Sequence, residues 1–579
     1  MQTNCKNCGD TFEISNEDLT FYDKISPVFN NKKYQIPSPT FCPSCRMQRR
    51  LSYRNERFLY HRKCDMTGKE IISSASQDKP YPIYDIDSWW SDKWDPLSYG
   101  INFDFNKSFL EQFEILRNKV PRMNLQQQKP MENSDYCNCA SRNKNCYLVF
   151  STNHCEDCYY GSWINYSKNC IDNQCLLQGE LCYECIDCKD CYNLKFSQQC
   201  KNCSDSYFLK NCIGTQNSIF CTNLHNKNYY IFNKQYTKEN YKNILKNLDL
   251  SSFKILEKAK SDFKEFTKNM IVKEYFGSQN ENISGNIINN CKNTFESYEC
   301  YDCEDVKYCM RLESNVKNCM DYVHWGMNAE MIYESQACGY NVFNLKFCNL
   351  CWGDCSDLIY CDHCTTCNNC FGCISLKHKS YCILNQQYTK EEYEKLVPKI
   401  IEAMKFPKSP LTRGLGHPLD KGGLGDCEWG EFFPISISVF SYNETLANEE
   451  FQLTKNEALA KKYSWKNEDL SSQHQGPNYQ ISDNIKDIKD DICNAILTCD
   501  TTGKLYKIIP QELKFYRQMN LPIPRKCPEQ RQKNRTALRN PRKLWTRNCM
   551  KCGEKIITTY APSRPEIVYC EKCYLESLY

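Results

Sequence analysis

The chain has 579 residues, 43 of them cysteine, with 41% hydrophobic residues and a net charge of +4. Its mean hydropathy of −0.68 argues against one large apolar core and favours several small ones or a repeat. No apolar run reaches membrane-spanning length, and Met1 is followed at once by a cysteine motif instead of a signal segment, so we expect a cytoplasmic protein. Thiols stay reduced there, which favours free thiols or metal thiolates over the alternative of a secreted disulfide protein.

The chain opens with a metal-binding pattern of two C-x2-C knuckles. Their four cysteines are Cys5, Cys8, Cys42 and Cys45. Four thiolates suit the tetrahedral, sulfur-rich coordination of zinc, and Pro43 suits the first turn of a helix. Together with Phe21-Tyr22, the Cys-x2-Cys-Gly and Cys-Pro-x-Cys-Arg motifs resemble a family of zinc ribbons from bacterial proteins of unknown function. The resemblance covers residues 3–50 and implies a zinc site.

A shift of 485 residues superposes the two ends of the chain. The intact C-terminal site predicted in this way consists of Cys549, Cys552, Cys570 and Cys573. Its N-terminal counterpart keeps only one thiol, at the positions Cys64, Thr67, Asp85 and Ser88. The module before the C-terminal site is also incomplete, with Cys499, Thr502, Cys527 and Gln530. Each end therefore has one intact and one degenerate ribbon, and we interpret Asp85 and Asp87 as relics of a knuckle instead of a catalytic pair.

A basic stretch links the two modules at each end. The arginines that we single out are Arg46, Arg49, Arg50, Arg54 and Arg57 near the N-terminus, and Arg531, Arg535, Arg539 and Arg542 near the C-terminus. Their spacing aligns guanidinium groups along one helical face. Guanidinium groups bind phosphate and stack on bases, so the pattern indicates nucleic-acid contact, with RNA weakly favoured over DNA. A solvated surface, or pairing with acidic residues of the same chain, is the open alternative.

Two elements are predicted after the N-terminal modules. The tryptophan-rich run of residues 89–96 is expected to pack the ribbon against the cysteine-rich array that follows, and not to bind a ligand. Residues 106–120 have apolar side chains at helical spacing and end before Pro121, which predicts one helix.

The centre of the chain is a duplicated cysteine-rich array. Residues 137–236 and 289–388 each carry fifteen cysteines in a phrase of Asn/Asp-Cys followed by aromatic and β-forming residues. Cysteines recur at nine residues, and short strand-like runs alternate with turn residues, which indicates the stacked coils of a β-solenoid. The whole chain resembles cysteine-rich proteins of unknown function from candidate-phyla bacteria, in which zinc ribbons flank Asn-Cys-aromatic repeats. That family implies no activity.

Runs of C-x2-C within the arrays suggest further metal. The cysteines concerned are Cys182, Cys185, Cys188 and Cys191, and Cys361, Cys364, Cys367, Cys370 and Cys373. Packed thiols are the first interpretation, because free cysteine is among the most buried side chains. Additional zinc is the second, with His154 and His363 as candidate partners, and an iron–sulfur cluster is not expected.

Threonines followed by acidic residues predict helix starts at Thr237 and Thr389, with helices over residues 237–273 and 389–404. Residues 406–425 contain many Gly and Pro residues and predict a linker. Residues 432–441 are strand-like, 454–462 helical and 464–490 loosely ordered.

We therefore predict a mainly β protein with helical additions, in which β-solenoid-like arrays are flanked by zinc-ribbon pairs. The predicted segments are 1–100 (ribbon pair), 101–130 (helical connector), 131–236 (array), 237–282 (helical), 283–388 (array), 389–405 (helix), 406–491 (linker and small α+β segment) and 492–579 (ribbon pair). The leading hypothesis is a non-enzymatic binding scaffold with two zinc ions that grips RNA or an RNA–protein particle. Zinc handling by the arrays and self-assembly through solenoid edges are the alternatives.

Overall fold

The computed structural model describes four stretches of the chain: residues 1–324, 326–406, 427–467 and 476–578. The chain divides into two units, unit 1 of residues 1–125 and 275–467, and unit 2 of residues 126–274 and 468–579. Unit 1 thus combines the N-terminal ribbon pair with the second array, and unit 2 the first array with the C-terminal ribbon pair. Most of the predicted linker at 406–425, and the middle of the segment 464–490, lie outside the described residues.

Residues 127–235 of unit 2 form a parallel β-solenoid, here called solenoid 1. Its strands are Gln127–Gln128, Asn138–Ser141, Phe150–Asn153, Ser162–Asn165, Gln174–Glu180, Ile186–Lys195, Ser204–Lys210, Ile219–Thr222, Tyr230–Ile231 and Lys234–Gln235. From Asn138–Ser141 to Tyr230–Ile231, neighbouring strands pair in parallel at a shift of twelve residues, as Phe150 does with Ser162 and Ser162 with Gln174. The first pair of strands is shifted by thirteen residues, and the last pair is antiparallel. The predicted solenoid is therefore confirmed, with twelve residues in each coil after the first.

Each coil is built from three-residue steps. From Cys139 to Tyr229, every third residue has a positive φ, as in Asn145 with φ 51°. This left-handed conformation turns the chain at a corner, and Asn and Asp tolerate it better than most other residues with a side chain. The residue after each corner from Cys139 to Phe220 is buried, as Cys146 is at 2% exposure. The recurring Asn/Asp-Cys phrase is therefore a corner followed by an interior position.

Cysteine thiols fill much of the interior of solenoid 1. Every third residue from Cys137 to Cys221 is buried, and thirteen of the fifteen cysteines of the array occupy these positions. Their S–H groups donate to backbone carbonyls, as Cys182 does to the carbonyls of Glu180 and Cys191 at 3.5 and 3.6 Å. The residue nine positions on lies on the next coil. The nine-residue recurrence of cysteine thus reflects a contact between coils, whereas the coil itself repeats every twelve residues.

Residues 277–387 of unit 1 form solenoid 2. Its strands are Gly277–Ser278, Glu281–Asn289, Lys292–Tyr301, Glu304–Lys307, Met310–Leu312, Lys317–Met320, Ser356–Ile359, Asn368–Phe371, Cys382–Ile383 and Gln386–Gln387. Lys292 pairs with Glu304 at a shift of twelve residues, but Glu304 pairs with Lys317 at thirteen. Extra residues are therefore accommodated within single coils. All fifteen cysteines of this array are buried.

The described residues also form α-helices, which belong to the ribbon modules or to the segments beside the solenoids. They are α1 (Asn16–Ile25), α2 (Pro43–Leu51), α3 (Ile86–Trp90), α4 (Phe109–Arg117), α5 (Lys238–Asn247), α6 (Phe253–Phe266), α7 (Lys390–Lys405), α8 (Leu446–Glu450), α9 (Lys455–Ala460), α10 (Pro510–Gln518), α11 (Pro528–Ala537) and α12 (Glu571–Leu578). None of these helices is both long enough and apolar enough to cross a bilayer.

Most predicted helices are present with different bounds. Thr237 and Thr389 cap α5 and α7, because their side-chain oxygens accept from the backbone N–H groups of Asn240 and Glu392 at 3.2 Å. The single helix predicted over 237–273 is instead α5, α6 and a strand at Ile271–Lys273. The strand predicted over 432–441 is wrong, since that segment contains only a short 3₁₀ turn at Ile435–Ile437.

The ribbon modules, with two neighbouring segments that pair with them, contribute short strands. In unit 1 these are Gln2–Asn4, Thr11–Glu13, Val28–Phe29, Lys32–Lys33, Tyr60–Lys63, Glu70–Ser73, Ile83–Tyr84 and Arg122–Met123. In unit 2 they are Ile271–Lys273, Leu497–Thr498, Leu505–Tyr506, Trp545–Asn548, Lys555–Thr558 and Ile567–Tyr569. Tyr60 pairs with Ser73, and Trp545 with Thr558, in the same antiparallel register. The structure thus reproduces the duplication seen at a shift of 485 residues.

Candidate metal centres and the helices that dock beside them

The N-terminal cluster brings together the four cysteines predicted to bind zinc. The Sγ atoms of Cys5, Cys8, Cys42 and Cys45 all lie within 4.8 Å of one another. Gly9, with φ 81°, closes the first knuckle by donating its N–H to the carbonyl of Cys5 at 2.9 Å. Cys42 is the N-cap of α2, so Cys45 lies in the first helical turn, as Pro43 predicts.

The C-terminal cluster has the same construction. The Sγ atoms of Cys549, Cys552, Cys570 and Cys573 also lie within 4.8 Å of one another. Gly553, with φ 80°, donates to the carbonyl of Cys549 at 2.9 Å. Burial raises the pKa of Cys549, but backbone N–H groups at Cys552, Cys570 and Lys551 outweigh it and lower the pKa to about 6. These amides therefore stabilise the thiolate form that a metal requires.

Both clusters fit a tetrahedral metal ion. A Zn–S bond of about 2.3 Å in a tetrahedron places two sulfurs about 3.8 Å apart. Cys8 and Cys42 have their sulfurs 3.8 Å apart, and so do Cys552 and Cys570. One thiol in each set, Cys8 or Cys552, is exposed, while the other three are buried. Bound zinc would cross-link a knuckle to the start of a helix, α2 in one case and α12 in the other.

The degenerate modules hold their remaining thiols by hydrogen bonds. Cys64 donates to Asp85 at 3.1 Å, and Asp85 accepts from the backbone N–H of Ser88 at 3.0 Å as the N-cap of α3. This geometry supports the interpretation of Asp85 as a substituted ligand. In the other module, the hydroxyl of Thr502 lies 3.9 Å from the sulfur of Cys527. Side-chain contacts thus replace the metal where ligands are missing.

The arginines of α11 dock this helix onto solenoid 1. Arg531 and Arg535 bind opposite oxygens of Asp172, at 2.6 and 2.8 Å. Asp172 is fully buried at a corner of the solenoid. The guanidinium carbon of Arg531 lies 4.8 Å from the ring centroid of Tyr160, one coil before Asp172. This set of four residues is here called the unit 2 clamp.

The arginines of α2 form the same arrangement on solenoid 2. Arg46 donates to one oxygen of Asp321 at 2.8 Å, and Arg50 forms an ion pair with the other oxygen at 3.1 Å. Asp321 is also a fully buried corner residue. The guanidinium carbon of Arg46 lies 5.0 Å from the ring centroid of Tyr308, one coil earlier. This unit 1 clamp therefore repeats the geometry of the unit 2 clamp.

The remaining arginines also find partners within the chain. The described ion pairs are Arg49 with Glu334 and Glu431, Arg54 with Glu56, Arg57 with Glu449, and Arg539 with Asp187. Arg542 is half-buried. Arg46, Arg49, Arg50 and Arg54 are at most 2% exposed, so a solvated surface is wrong for these four, and burial keeps them from a nucleic-acid backbone. The alternative of pairing with acidic residues of the same chain is confirmed for the arginines in these ion pairs.

The array cysteines named above lie in the interiors of the solenoids. All nine are buried, and none joins a described group of three or more ligands within 4.8 Å. Cys188 donates to the carbonyls of Ile186 and Ser197, at 3.3 and 3.7 Å. Carbonyl oxygens stabilise S–H and disfavour a thiolate, so this geometry fits the packed-thiol interpretation. His154 instead stacks on Tyr166, and His363 lies 3.1 Å from Asp362.

Sequence reasoning missed a lysine held by tryptophans. The ammonium of Lys377 lies 4.2, 4.8 and 5.4 Å from the ring centroids of Trp89, Trp94 and Trp90. The lysine belongs to solenoid 2, so this contact packs the tryptophan cluster against the array, as predicted. Nothing in the local sequence identified Lys377 as the partner.

Sequence reasoning also missed the two clamp carboxylates, those of Asp172 and Asp321. Asp172 and Asp321 stand at corners where Asp is common, and a tyrosine at the same corner of the preceding coil, Tyr160 or Tyr308, is the one signal that sets them apart. The chain matches no protein-family model and no curated protein sequence.

Proposed function

We propose that this protein is a non-enzymatic, zinc-binding scaffold in which each solenoid presents a docked pair of ribbon modules. The observation that carries the proposal is the coincidence, at both ends, of a four-cysteine cluster with a ribbon helix clamped onto a solenoid. The polar groups concentrated at these places are used for anchoring: Arg46 and Arg531, for example, are buried in ion pairs. We place the protein in the cytoplasm, where its many buried thiols stay reduced.

Elemental analysis of protein purified without added metal tests this proposal. We expect two zinc ions per chain. The variants Cys8→Ser and Cys552→Ser should each lose one zinc ion, and Cys188→Ser, which changes a solenoid interior, should retain both. A native chain without zinc, or a zinc content that falls in Cys188→Ser, would refute the assignment of metal to the terminal clusters.

Nucleic-acid binding is a second candidate, favoured by the charge of unit 2. This unit has 38 Lys/Arg residues against 29 Asp/Glu, whereas unit 1 has 36 against 41. The C-terminal ribbon exposes Lys543, Lys551, Lys555 and Lys572. At the equivalent N-terminal positions stand Phe58, Met66, Glu70 and Asp87. We infer that any phosphate backbone is contacted through these surface lysines and not through the clamp arginines.

A salt titration of RNA binding tests the second candidate. We expect the chain to bind a single-stranded RNA with an affinity that falls steeply as the salt concentration rises, because phosphates release counterions when they are bound. Changing Lys543 and Lys555 to Glu should reduce binding at least about tenfold. The matched control changes Lys63 and Lys69 of the N-terminal ribbon and should leave binding unchanged. Equal affinity of both variants and the native chain would contradict this candidate.

A further inference from the structure

The two clamped helices differ in what holds their first turn. Neither N-cap residue, Cys42 for α2 or Cys527 for α11, offers a side-chain hydrogen bond to the exposed N–H groups of its helix. In α2, the cap and the first turn carry two of the four thiols of the N-terminal cluster. In α11, Thr502 and Gln530 stand where two of the ligands would be.

The apolar packing around the first turn also differs between α2 and α11. Cys499 and Cys527 belong to a large apolar cluster of unit 2 that includes Ile508, Leu513 and Tyr516. The N-terminal thiols form a small cluster of their own, made of Cys5, Phe41, Cys42 and Cys45. Apolar packing therefore holds the start of α11, whereas the start of α2 depends on its thiols.

We propose that zinc at the N-terminal cluster controls the docking of α2 on solenoid 2, so that metal loss releases the first turns of α2 from Asp321 while α11 stays docked on solenoid 1. The inference rests on the zinc binding proposed above. Its structural basis is that a predicted zinc ligand, Cys45, is followed directly in the chain by Arg46, which binds Asp321 at 2.8 Å. Arg49, one turn further on, pairs with Glu334 and Glu431.

Loss of zinc acts on this helix in two ways. The four sulfurs, within 4.8 Å of one another, repel as thiolates or become protonated, and in either form they no longer cross-link the knuckle to the helix. The N–H groups of the first turn then lack a fixed environment. Opening lets water reach Arg46 and Asp321, which lowers the cost of separating these buried charges. The end of α2 at Leu51 and the residues after it remain held, because Leu51 is fully buried and the carbonyl of Arg54 accepts from the N–H of Leu446 at 3.0 Å.

Hydrogen–deuterium exchange on the full chain tests the proposal. After zinc removal with a chelator, we expect amide exchange in residues 43–50 to rise on the order of tenfold or more, with residues 528–537 unchanged. Cys8→Ser should reproduce this change. Cys552→Ser, which removes an exposed ligand of the other site, should raise exchange in residues 549–573 only. Unchanged exchange over 43–50, or an equal rise over 528–537, would overturn the proposal.

Zinc affinity gives an independent test, because coupling between two sites is reciprocal. Asp321→Asn should weaken zinc binding at the N-terminal site, measured by competition with a chromogenic chelator. Asp172→Asn, the matched change in unit 2, should leave zinc affinity unchanged. If zinc binds but Asp321→Asn has no effect on affinity, the control of docking fails alone. If the native chain binds no zinc, the proposed function fails as well.

Discussion

The unit 2 clamp predicts a large loss of stability when its carboxylate is neutralised. In Asp172→Asn, Arg531 keeps Glu512 at 2.9 Å, whereas Arg535 loses this carboxylate and keeps its hydrogen bonds to the carbonyl of Tyr160 and the amide oxygen of Gln532. Removing one partner of a buried ion pair costs about 3–5 kcal/mol. Because Arg531 retains a carboxylate, we expect a value near the lower end, about 3 kcal/mol. With an m-value of about 3 kcal/mol/M, the urea midpoint of unit 2 should fall by about 1 M.

A urea titration with pulsed hydrogen exchange and mass spectrometry measures this loss, because peptides of unit 2 can be followed separately. The control is Asp157→Asn, another solenoid corner with φ 52° that is not buried, where we expect a change within about 0.5 kcal/mol. Adding Arg535→Met to Asp172→Asn should recover part of the loss, since it removes the buried charge that no longer faces the Asp172 carboxylate. Equal stabilities of Asp172→Asn and Asp157→Asn would refute the role given to the clamp.

Three further predictions concern other contacts. Cys188→Ser should destabilise solenoid 1 by only about 1–2 kcal/mol in a urea titration, because serine can donate to the same carbonyls; a much larger loss would contradict the packed-thiol interpretation. Burial raises the pKa of Asp362, but Arg122 and His363 lower it well below its usual range. Asp362→Asn should therefore destabilise unit 1 most at neutral pH, and its difference from the native chain should shrink below about pH 4; a pH-independent difference would exclude this linkage. Lys377→Met should lower unit 1 stability by about 1–2 kcal/mol, and Lys377→Arg by less; equal losses would argue against a cation–π contact.

The metal clusters could be predicted because a knuckle is a local pattern. Two cysteines separated by two residues, with a glycine after them, specify the turn at Gly9 and Gly553 whatever surrounds it. The solenoid could be predicted for a similar reason, since its corners recur within a short stretch of chain. The nine-residue spacing was the misleading part. This spacing relates cysteines that lie on neighbouring coils, whereas the twelve-residue length of a coil is seen in the register of the paired strands.

The role of the arginines could not be predicted, because it depends on contacts between distant segments. Arg531 is 359 residues from Asp172, and Arg46 is 275 residues from Asp321. A row of guanidinium groups on one helical face has the same sequence pattern whether the face meets phosphate or a buried carboxylate. Only the fold selects between the two, and it places each arginine helix on the array that is further away in the sequence.

The order of the solenoids and the arginine helices along the chain is also the order in which they are synthesised. The corner at Asp172 leaves the ribosome 359 residues before Arg531. At about 5–20 residues per second, this interval lasts roughly 20–70 s. During this interval solenoid 1 lacks α11, the helix whose arginines pair with Asp172 in the folded chain. In unit 1 the order is reversed, so the arginines of α2 are synthesised before Asp321 and the coil of solenoid 2 that carries it.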